Sequence, residues 1–393
     1  MGVYEDRLYG LLELIDVEEA LLETPEFERL KDIGIYGLPT GLLPSNCLNG
    51  QKPPSLYEHV VGVAQLARRV GKQPSFVESA GKLPYIAYMH QVLAPPFFTV
   101  AEHLSKNEGL SRFQALKGRK IEKVLKSAGL ELDDLARYLK KDSIIGQVFY
   151  GPFNLPDLDK PLRWQVVLNE CKQYNPLALA GTFRQEGSQL AWKGKSLGQL
   201  PAWQRVREEV GNQFFDPEML SRQAILRRAL EMQYEEGFPD GFFELHDSSA
   251  IDSIAETGMP EVQDLMQRLI HQEPLEEINL GGVQNKARLE EVHGDWTKLY
   301  SLEETLVQRL RRSVNRNLER SELAMLVAKE DAHKPIPLDR MHPPRKGKAR
   351  QRFKRMIGRS SKNKHKLYVY GSRRIQEHPE VVVNFLRDVA LLE

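Results

Sequence analysis

Apolar residues recur every three or four positions along most of the chain, and this spacing predicts a mainly α-helical protein. Glycine and proline often interrupt the pattern, so the predicted helices are short. The alternation of apolar and polar residues that predicts strands is scarce. The predicted helices before residue 240 cover 8–22, 25–33, 56–70, 83–92, 99–106, 121–128, 132–140, 162–173, 201–212 and 217–236.

A further helix is indicated near residue 300. Ser301 and Glu304 have the spacing of a capping box, so we expect the helix to begin there. Its buried face is predicted by a stripe of apolar residues that recur every four positions: Leu302, Leu306, Leu310, Val314 and Leu318. The arginines on the opposite face are typical of a solvated helix surface.

The composition changes after residue 330, where four prolines precede a basic run. Residues near 331–345 are a candidate linker, and a final helix is predicted from Pro379. We therefore predict three parts: a helical domain over 1–240, a helical C-terminal part of the body over 241–330, and a basic extension rich in proline, lysine and arginine over 331–393.

The charge of the chain is unevenly distributed. The net charge is +1, yet residues 340–374 contain 14 basic residues and no acidic one, so the rest of the chain is acidic. Such a segment binds polyanions such as nucleic acid, or docks on an acidic surface of its own fold or of a partner. The candidate nucleic-acid-binding residues are Arg345, Lys346, Lys348, Arg350, Arg352, Lys354, Arg355 and Arg359.

Cysteine content and hydropathy indicate the cellular setting of the protein. Cys47 and Cys171 are too few for a disulfide framework or a four-thiolate zinc site, which favours a reducing, cytoplasmic setting. No window approaches 18 uninterrupted apolar residues, so we expect no membrane segment. Glu5 and Asp6 stand where a signal peptide would carry basic and apolar residues.

Candidate metal ligands lie on two predicted helices and in the loop-rich stretch 146–161. His59 and His90 lie on separate helices, and Asp159 follows much later in the chain. Two histidines and a distant carboxylate are what a divalent-metal pocket in a helical bundle requires. By contrast, His246-Asp247 has no suitably spaced histidine upstream, and we interpret it as a helix-end or loop pair.

Three motifs of this chain occur in the same order as in one protein family. Residues 6–10 (Asp-Arg-Leu-Tyr-Gly), 24–33 (Thr-Pro-Glu-Phe-Glu-Arg-Leu-Lys-Asp-Ile) and 57–63 (Tyr-Glu-His-Val-Val-Gly-Val) resemble conserved motifs of the HD superfamily of metal-dependent phosphohydrolases. Within that superfamily they are most similar to the deoxynucleoside triphosphate triphosphohydrolases. The resemblance covers about residues 4–160 and implies an all-α HD-domain helical bundle with additional C-terminal helices.

The resemblance also implies roles for individual residues. His59, His90 and Asp159 match metal ligands, and Lys160 matches a lysine that contacts substrate phosphate. The family's fourth ligand, an aspartate, is replaced by Gln91. A neutral amide oxygen removes one negative charge, so we expect weaker binding of hard divalent ions.

Other positions of the family's site also differ here. Ala94 and Thr99 stand where the family has histidines that contact phosphates or move protons, and Leu56 replaces an arginine. The family's Asp-Tyr pair after the lysine reads Leu162-Arg163, so the tyrosine that lines the nucleotide site is absent.

These replacements favour a catalytically impaired HD protein that acts as a nucleotide-, nucleic-acid- or partner-binding subunit. The alternative is an active metal-dependent phosphohydrolase with a remodelled site. A third interpretation is that His59, His90 and Asp159 form a buried hydrogen-bonded network without metal. The expected cofactor is accordingly one divalent ion (Mn, Mg or Fe) or none. The expected partners are a nucleotide or nucleic acid, a protein partner, or a second copy of the chain.

Overall fold

The computed structural model describes residues 2–43, 51–105, 116–140, 143–151, 153–167, 173–214, 216–329, 341–342 and 365–392. Helices dominate, and the sheets are small. The sequence prediction of a mainly α-helical protein is therefore confirmed. None of the helices in these ranges is long and apolar enough to cross a membrane.

The chain starts with a β-hairpin rather than the helix predicted over 8–22. Strands β1 (Gly2–Asp6) and β2 (Gly10–Leu14) pair antiparallel, and a helix begins only at Asp16. Gly10 has a φ of +78° at the turn, a conformation that glycine adopts without strain. The Asp6 carboxylate accepts the backbone N–H groups of Leu8 and Tyr9, which fixes the turn.

The first half of the protein is built from short helices around one long one. In chain order they are α1 (Asp16–Leu22), α2 (Pro25–Glu28), α3 (Leu56–Gly71), α4 (Leu83–Met89), α5 (Phe98–Ser105), α6 (Lys120–Ser127), α7 (Leu132–Tyr138), α8 (Ile144–Tyr150), α9 (Leu155–Val167) and α10 (Pro176–Ala180). Single 3-10 turns occur at Arg29–Asp32, Thr40–Leu42 and Pro74–Ser79.

The second half adds two long helices and the remaining strands. The helices are α11 (Leu200–Phe214), α12 (Pro217–Glu236), α13 (Asp247–Thr257), α14 (Pro260–Ile270), α15 (Lys286–His293), α16 (Trp296–Ser313), α17 (Arg373–Gln376) and α18 (Pro379–Asp388). The strands are β3 (Phe183–Glu186), β4 (Gln189–Lys193), β5 (Glu276–Glu277), β6 (Leu323–Lys329), β7 (Met341–His342) and β8 (His365–Gly371). Further 3-10 turns lie at Lys195–Gln199, Phe242–Glu244 and Arg320–Glu322.

Helix α3 is the central element of the first half. Ser55 caps its N-terminus by accepting the N–H of Glu58, whose side chain in turn accepts the N–H of Ser55. Most of its residues are buried, because α4, α9 and α10 pack against it. A helix enclosed in this way holds its side chains in fixed positions, and it supplies one candidate ligand, His59.

Helix α16 begins earlier than the capping-box pattern predicts. Asp295 is its N-cap and accepts the N–H of Thr297, so Ser301 lies inside the helix. Of the predicted apolar stripe, Leu306 and Leu310 are fully buried on the helix and Leu302 is partly buried. The helix ends at Ser313, so Val314 is its C-cap and Leu318, which is also buried, lies beyond it. The error arose because an N-cap residue and a Glu three positions later also occur by chance within helices.

Two hydrophobic cores lie side by side. The first contains buried residues up to Leu275 together with Ala324, Tyr368 and Tyr370, and the second runs from Ile278 to Leu392 around a sheet in the order β5-β8-β6. Strand β8 lies in the predicted basic extension and pairs antiparallel with β6 from the predicted body, so that His365 lies opposite Lys329. The three domain ranges predicted from the sequence stay a prediction.

A buried charge network joins the two cores. Glu303 on α16 accepts from Arg227 and Arg228 on α12, at 2.5 and 3.2 Å, and from the backbone N–H of Met325 on β6. Arg227 also donates to the carbonyl of Met325. The position of the second core on α12 is therefore set by directional bonds as well as by apolar contact.

Candidate functional site

The structure brings the three predicted metal ligands together. His59 lies on α3, His90 follows the last residue of α4, and Asp159 lies on α9, and all three are buried. The Nδ1 atom of His59 is 2.7 Å from Oδ2 of Asp159. The rings of His59 and His90 lie edge to face with their centroids 5.6 Å apart.

Helix α9 carries Asp159 past a proline. Pro161 has no N–H for the carbonyl of Asp157, and Nε1 of Trp203 donates to that carbonyl instead, at 2.8 Å. The hydroxyl of Tyr174 donates to the next carbonyl, that of Leu158, at 2.7 Å. These donors allow the helix to continue through Pro161, so that Asp159 and Arg163 lie one turn apart on one face.

Protein donors occupy both oxygens of Asp159. The hydroxyl of Tyr9 donates to Oδ1 at 2.9 Å, and Nε of Arg163 donates to Oδ2 at 2.7 Å. A second nitrogen of Arg163 lies 2.9 Å from Oδ2 of Asp6, at the end of β1. We name the group of Asp6, Tyr9, His59, Asp159 and Arg163 the Asp159 centre.

Gly62 gives the Asp159 centre the space that it needs. A Cβ atom built at Gly62 would overlap the guanidinium of Arg163 and Oδ1 of Asp159, and it would lie 2.8 Å from Cε2 of Tyr9. Because Gly62 has no side chain, α9 and the hairpin can approach the backbone of α3 closely at this position.

Burial and pairing set the charges in the centre. Burial alone would raise the pKa of the Asp159 carboxyl, but the ion pair with Arg163 and the hydrogen bond from His59 hold it below its ordinary value. Burial lowers the pKa of His59. Burial and the neighbouring His59 lower the pKa of His90 to about 3. At neutral pH Asp159 is therefore ionised and Arg163 is charged, whereas the neighbouring His90 is neutral.

The nitrogens of His90 have different environments. Nδ1 donates to the carbonyl of Ala87, which leaves the lone pair on Nε2. Nε2 is buried, and the described residues give it no hydrogen-bond partner. A histidine with a fixed Nδ1 proton and an unpartnered Nε2 is arranged as metal-ligating histidines usually are.

The centre as a whole does not fit a divalent ion. A metal shared by His59 and Asp159 would lie beside the Arg163 guanidinium, which donates to the same Asp159 oxygen as His59. Within the described part of the chain, no group of three His, Cys, Asp or Glu side chains has an arrangement that could hold a metal. Only His90 keeps the geometry of a ligand.

Lys160 and Gln91 lie near the centre. Nζ of Lys160 lies 4.3 Å from the ring centroid of Tyr36 and 5.8 Å from that of Phe98, so its charge contacts aromatic faces. Gln91 lies in the turn after α4, where its carbonyl accepts the N–H of Ala94 at 2.9 Å.

Two residues outside the predicted site hold the loop that follows His90. Arg29 donates to the carbonyls of Val92 and Ala94, at 3.1 and 2.6 Å. Asp247 accepts the N–H of Phe97 at 2.7 Å and, with its other oxygen, the N–H of Gly34 at 2.9 Å. Phe97 has a φ of +57°, which is unusual for a residue other than glycine and needs such support.

Sequence reasoning found some of these residues and missed others. The motifs include Asp6, Tyr9 and Arg29, but the sequence did not predict their hydrogen bonds. Arg163 stands where the resemblance predicts a tyrosine, and its ion pairs were not predicted either. The interpretation of His246-Asp247 as a helix-end pair is confirmed, because His246 is the N-cap of α13. The role of Asp247 in the His90 loop had no signal in the local sequence. The candidate nucleic-acid-binding residues from Arg345 to Arg359 lie outside the described residues.

Comparison with known proteins adds a similarity in fold. No family model and no curated protein matches the sequence. The fold is similar to the crystal structure of a hypothetical protein from Aquifex aeolicus, with a TM-score of 0.70 and 16% sequence identity. The similarity covers 98% of this chain and 99% of that chain, so the two share their fold over nearly their full lengths.

We predict that Gly62→Ala destabilises the protein. The new methyl group would push Arg163 and Asp159 apart, and overpacking of this kind costs about 1–3 kcal/mol in the free energy of unfolding. Gly211→Ala on α11 is the matched control, because a Cβ there meets nothing within 4 Å. We expect the control to gain about 0.5–1 kcal/mol from helix propensity. Urea denaturation measures both, and equal stability of the two variants would contradict the close packing at Gly62.

We predict a pH-dependent contribution from Asp247. Burial raises the pKa of its carboxyl from an ordinary value of 3.8 to about 7, although the N–H groups of Phe97 and Gly34 act in the opposite direction. Between these values the folded protein holds a proton that the unfolded chain releases, so this group reduces stability as the pH rises.

The comparison of Asp247→Asn with the wild type isolates this effect. As the pH rises from about 4 to about 7, we expect the variant to gain stability relative to the wild type. Urea denaturation across that range measures the difference, and Asp252→Asn, at an exposed position of the same helix, gives the background. A difference that does not change with pH would contradict the prediction.

Proposed function

We propose that this chain is a catalytically impaired HD-type protein that acts as a nucleotide-, nucleic-acid- or partner-binding subunit. One observation carries the proposal: protein donors engage both oxygens of Asp159, and one of these donors is a permanent cation. Hydrolysis by an HD phosphohydrolase would require a metal at this carboxylate to generate the nucleophilic water. The Asp159 centre instead uses the carboxylate to hold three segments of the fold together.

Two residues that the resemblance would use for phosphate contact or proton transfer are also replaced. Ala94 and Thr99 stand where the resemblance places histidines, and neither side chain can act as a general acid or base at neutral pH. General acid–base catalysis contributes about 10²- to 10⁴-fold to a rate. The replacement of these two residues, together with the donors that occupy both oxygens of Asp159, supports a binding role rather than turnover.

Lys160 supports a role in binding a phosphate. Its ammonium group is half-buried and lies against the ring of Tyr36. A lysine held in this way is a point charge that can contact a phosphate without any contribution from a metal. Phosphate binding by Lys160 would therefore not require the catalytic residues of the family that are replaced in this chain.

An active phosphohydrolase with a remodelled site is the second candidate. The observation that favours it is the unpartnered Nε2 of His90, which keeps the orientation of a metal ligand. In that case His59, His90 and Asp159 would hold one divalent ion, Mn, Mg or Fe, which would activate water and polarise a phosphoryl oxygen.

We predict that the wild type holds less than one divalent metal per chain, as purified and after dialysis against Mn²⁺. The comparison is with a His59→Ala, Asp159→Ala double variant whose folding is checked by circular dichroism, and metal is measured by atomic emission. We expect the two proteins to have the same metal content and no hydrolysis of deoxynucleoside triphosphates. Stoichiometric metal in the wild type alone, together with hydrolysis, would establish the active enzyme instead.

The basic segment offers a separate route to binding. We propose that its cations contact nucleic-acid phosphates, and the test is a chain in which all eight candidate residues from Arg345 to Arg359 are glutamine. A deletion of 340–374 is unsuitable, because it would remove the core strand β8. We expect the wild type to bind single-stranded oligonucleotides with an affinity that falls as salt rises. The variant should bind much more weakly and with a flatter salt dependence, whereas equal binding would refute the proposal.

A further inference from the structure

Arg163 has the position and surroundings of an internal counterion for two carboxylates. Its side chain is 2% exposed and lies between Asp159 and Asp6, with charged contacts of 2.7 and 2.9 Å. The ring of Tyr9 lies 5.6 Å from its guanidinium carbon and closes a further side. Guanidinium groups are almost never buried to this extent unless they are paired.

The surrounding structure fixes this position from several directions. The N–H groups of Leu8 and Tyr9 donate to the Asp6 carboxylate, which fixes the position of the second carboxylate relative to Arg163. Gly62 provides the space that the guanidinium fills. Three separate segments, the hairpin, α3 and α9, therefore converge on one cation.

We infer that Arg163 is the resident cation of the Asp159 centre and replaces the divalent metal ion that the resemblance to HD phosphohydrolases implies. The inference rests on the proposed function and deepens it, because it names the residue that excludes the metal. In the resembling family this position is a neutral tyrosine, so one exchange adds a positive charge beside Asp159.

The two kinds of cation differ in their chemistry. A guanidinium offers only N–H donors and stays charged at every pH at which the protein is folded. It has no open coordination position, and it cannot bind and activate a water molecule as a metal does. A chelator cannot remove it. With Arg163 in place, a divalent ion at Asp159 would face a like charge within a few ångströms.

The test compares Mn²⁺ binding by the wild type and by Arg163→Met, which keeps an unbranched side chain and loses the charge. Isothermal titration calorimetry of the full chain measures the affinity. Arg207→Met is the matched control, because Arg207 is also buried and pairs with Asp157 rather than Asp159. We expect no saturable site in the wild type or in Arg207→Met. We expect Arg163→Met to bind about one Mn²⁺ per chain, at least about tenfold more tightly than the weak, non-saturating binding of the other two proteins, and we expect the site to be lost when Asp159→Asn is added.

Each other outcome has a definite meaning. If Arg163→Met binds Mn²⁺ no better than Arg207→Met, then Arg163 is only a structural ion-pair partner and the inference is overturned, while the proposed function stands. If the wild type binds Mn²⁺ stoichiometrically through Asp159 without hydrolysing nucleotides, the inference alone fails. If it also hydrolyses them, the proposed function fails as well.

A second measurement covers a failure of Arg163→Met to fold. Mn²⁺ should then substitute for the missing charge, so it should restore the helical circular dichroism signal of the variant and raise its unfolding temperature. Mn²⁺ should not change the unfolding temperature of the wild type. A variant that stays unfolded at saturating Mn²⁺ would overturn the inference.

Discussion

The first half of the molecule depends on one buried guanidinium shared by two carboxylates. Arg163 links α9 to the hairpin through Asp6, and Asp159 links the same helix to α3 through His59. Removing one partner of such a buried pair typically costs about 3–5 kcal/mol, because the remaining charge is left without compensation. That cost is comparable to a large part of the total stability of a typical domain, so the arrangement strongly constrains what these positions can become.

A second network repeats this principle between the two cores. Arg227 and Arg228 on α12 meet Glu303 on α16, and the carboxylate also fixes the backbone of β6 through Met325. In both networks an arginine on a helix meets a carboxylate from a distant part of the chain, Asp6 in the first and Glu303 in the second. Apolar contacts tolerate small shifts between helices, whereas these directional bonds define one relative position.

Local sequence patterns predicted most helices but not the long-range bonds. The spacing of apolar residues predicted a helix at 217–236, where the structure has one. The grouping of His59, His90 and Asp159 came from their residue types and from the resemblance. The hairpin was missed because its leucines also fit a helical period, and only the turn formed by Asp6 and Gly10 distinguishes the two. The pairing of Arg163 with Asp6 joins positions 157 residues apart, and no local pattern reports such a contact.

The pairing of β6 with β8 has a consequence for the chain between them. Lys329 and His365, which flank residues 330–364, lie opposite each other in the sheet, so the second core holds the two ends of this stretch together. Met341 and His342 form β7 within the stretch and pair with Trp192 and Lys193 of β4, which gives it a third fixed point. Because the entropy of closing a flexible loop grows only with the logarithm of its length, doubling a loop between two such points would cost about 0.6 kcal/mol. Additional chain between these fixed points would therefore carry a small entropic cost, provided that the pairings of β6 with β8 and of β4 with β7 are kept.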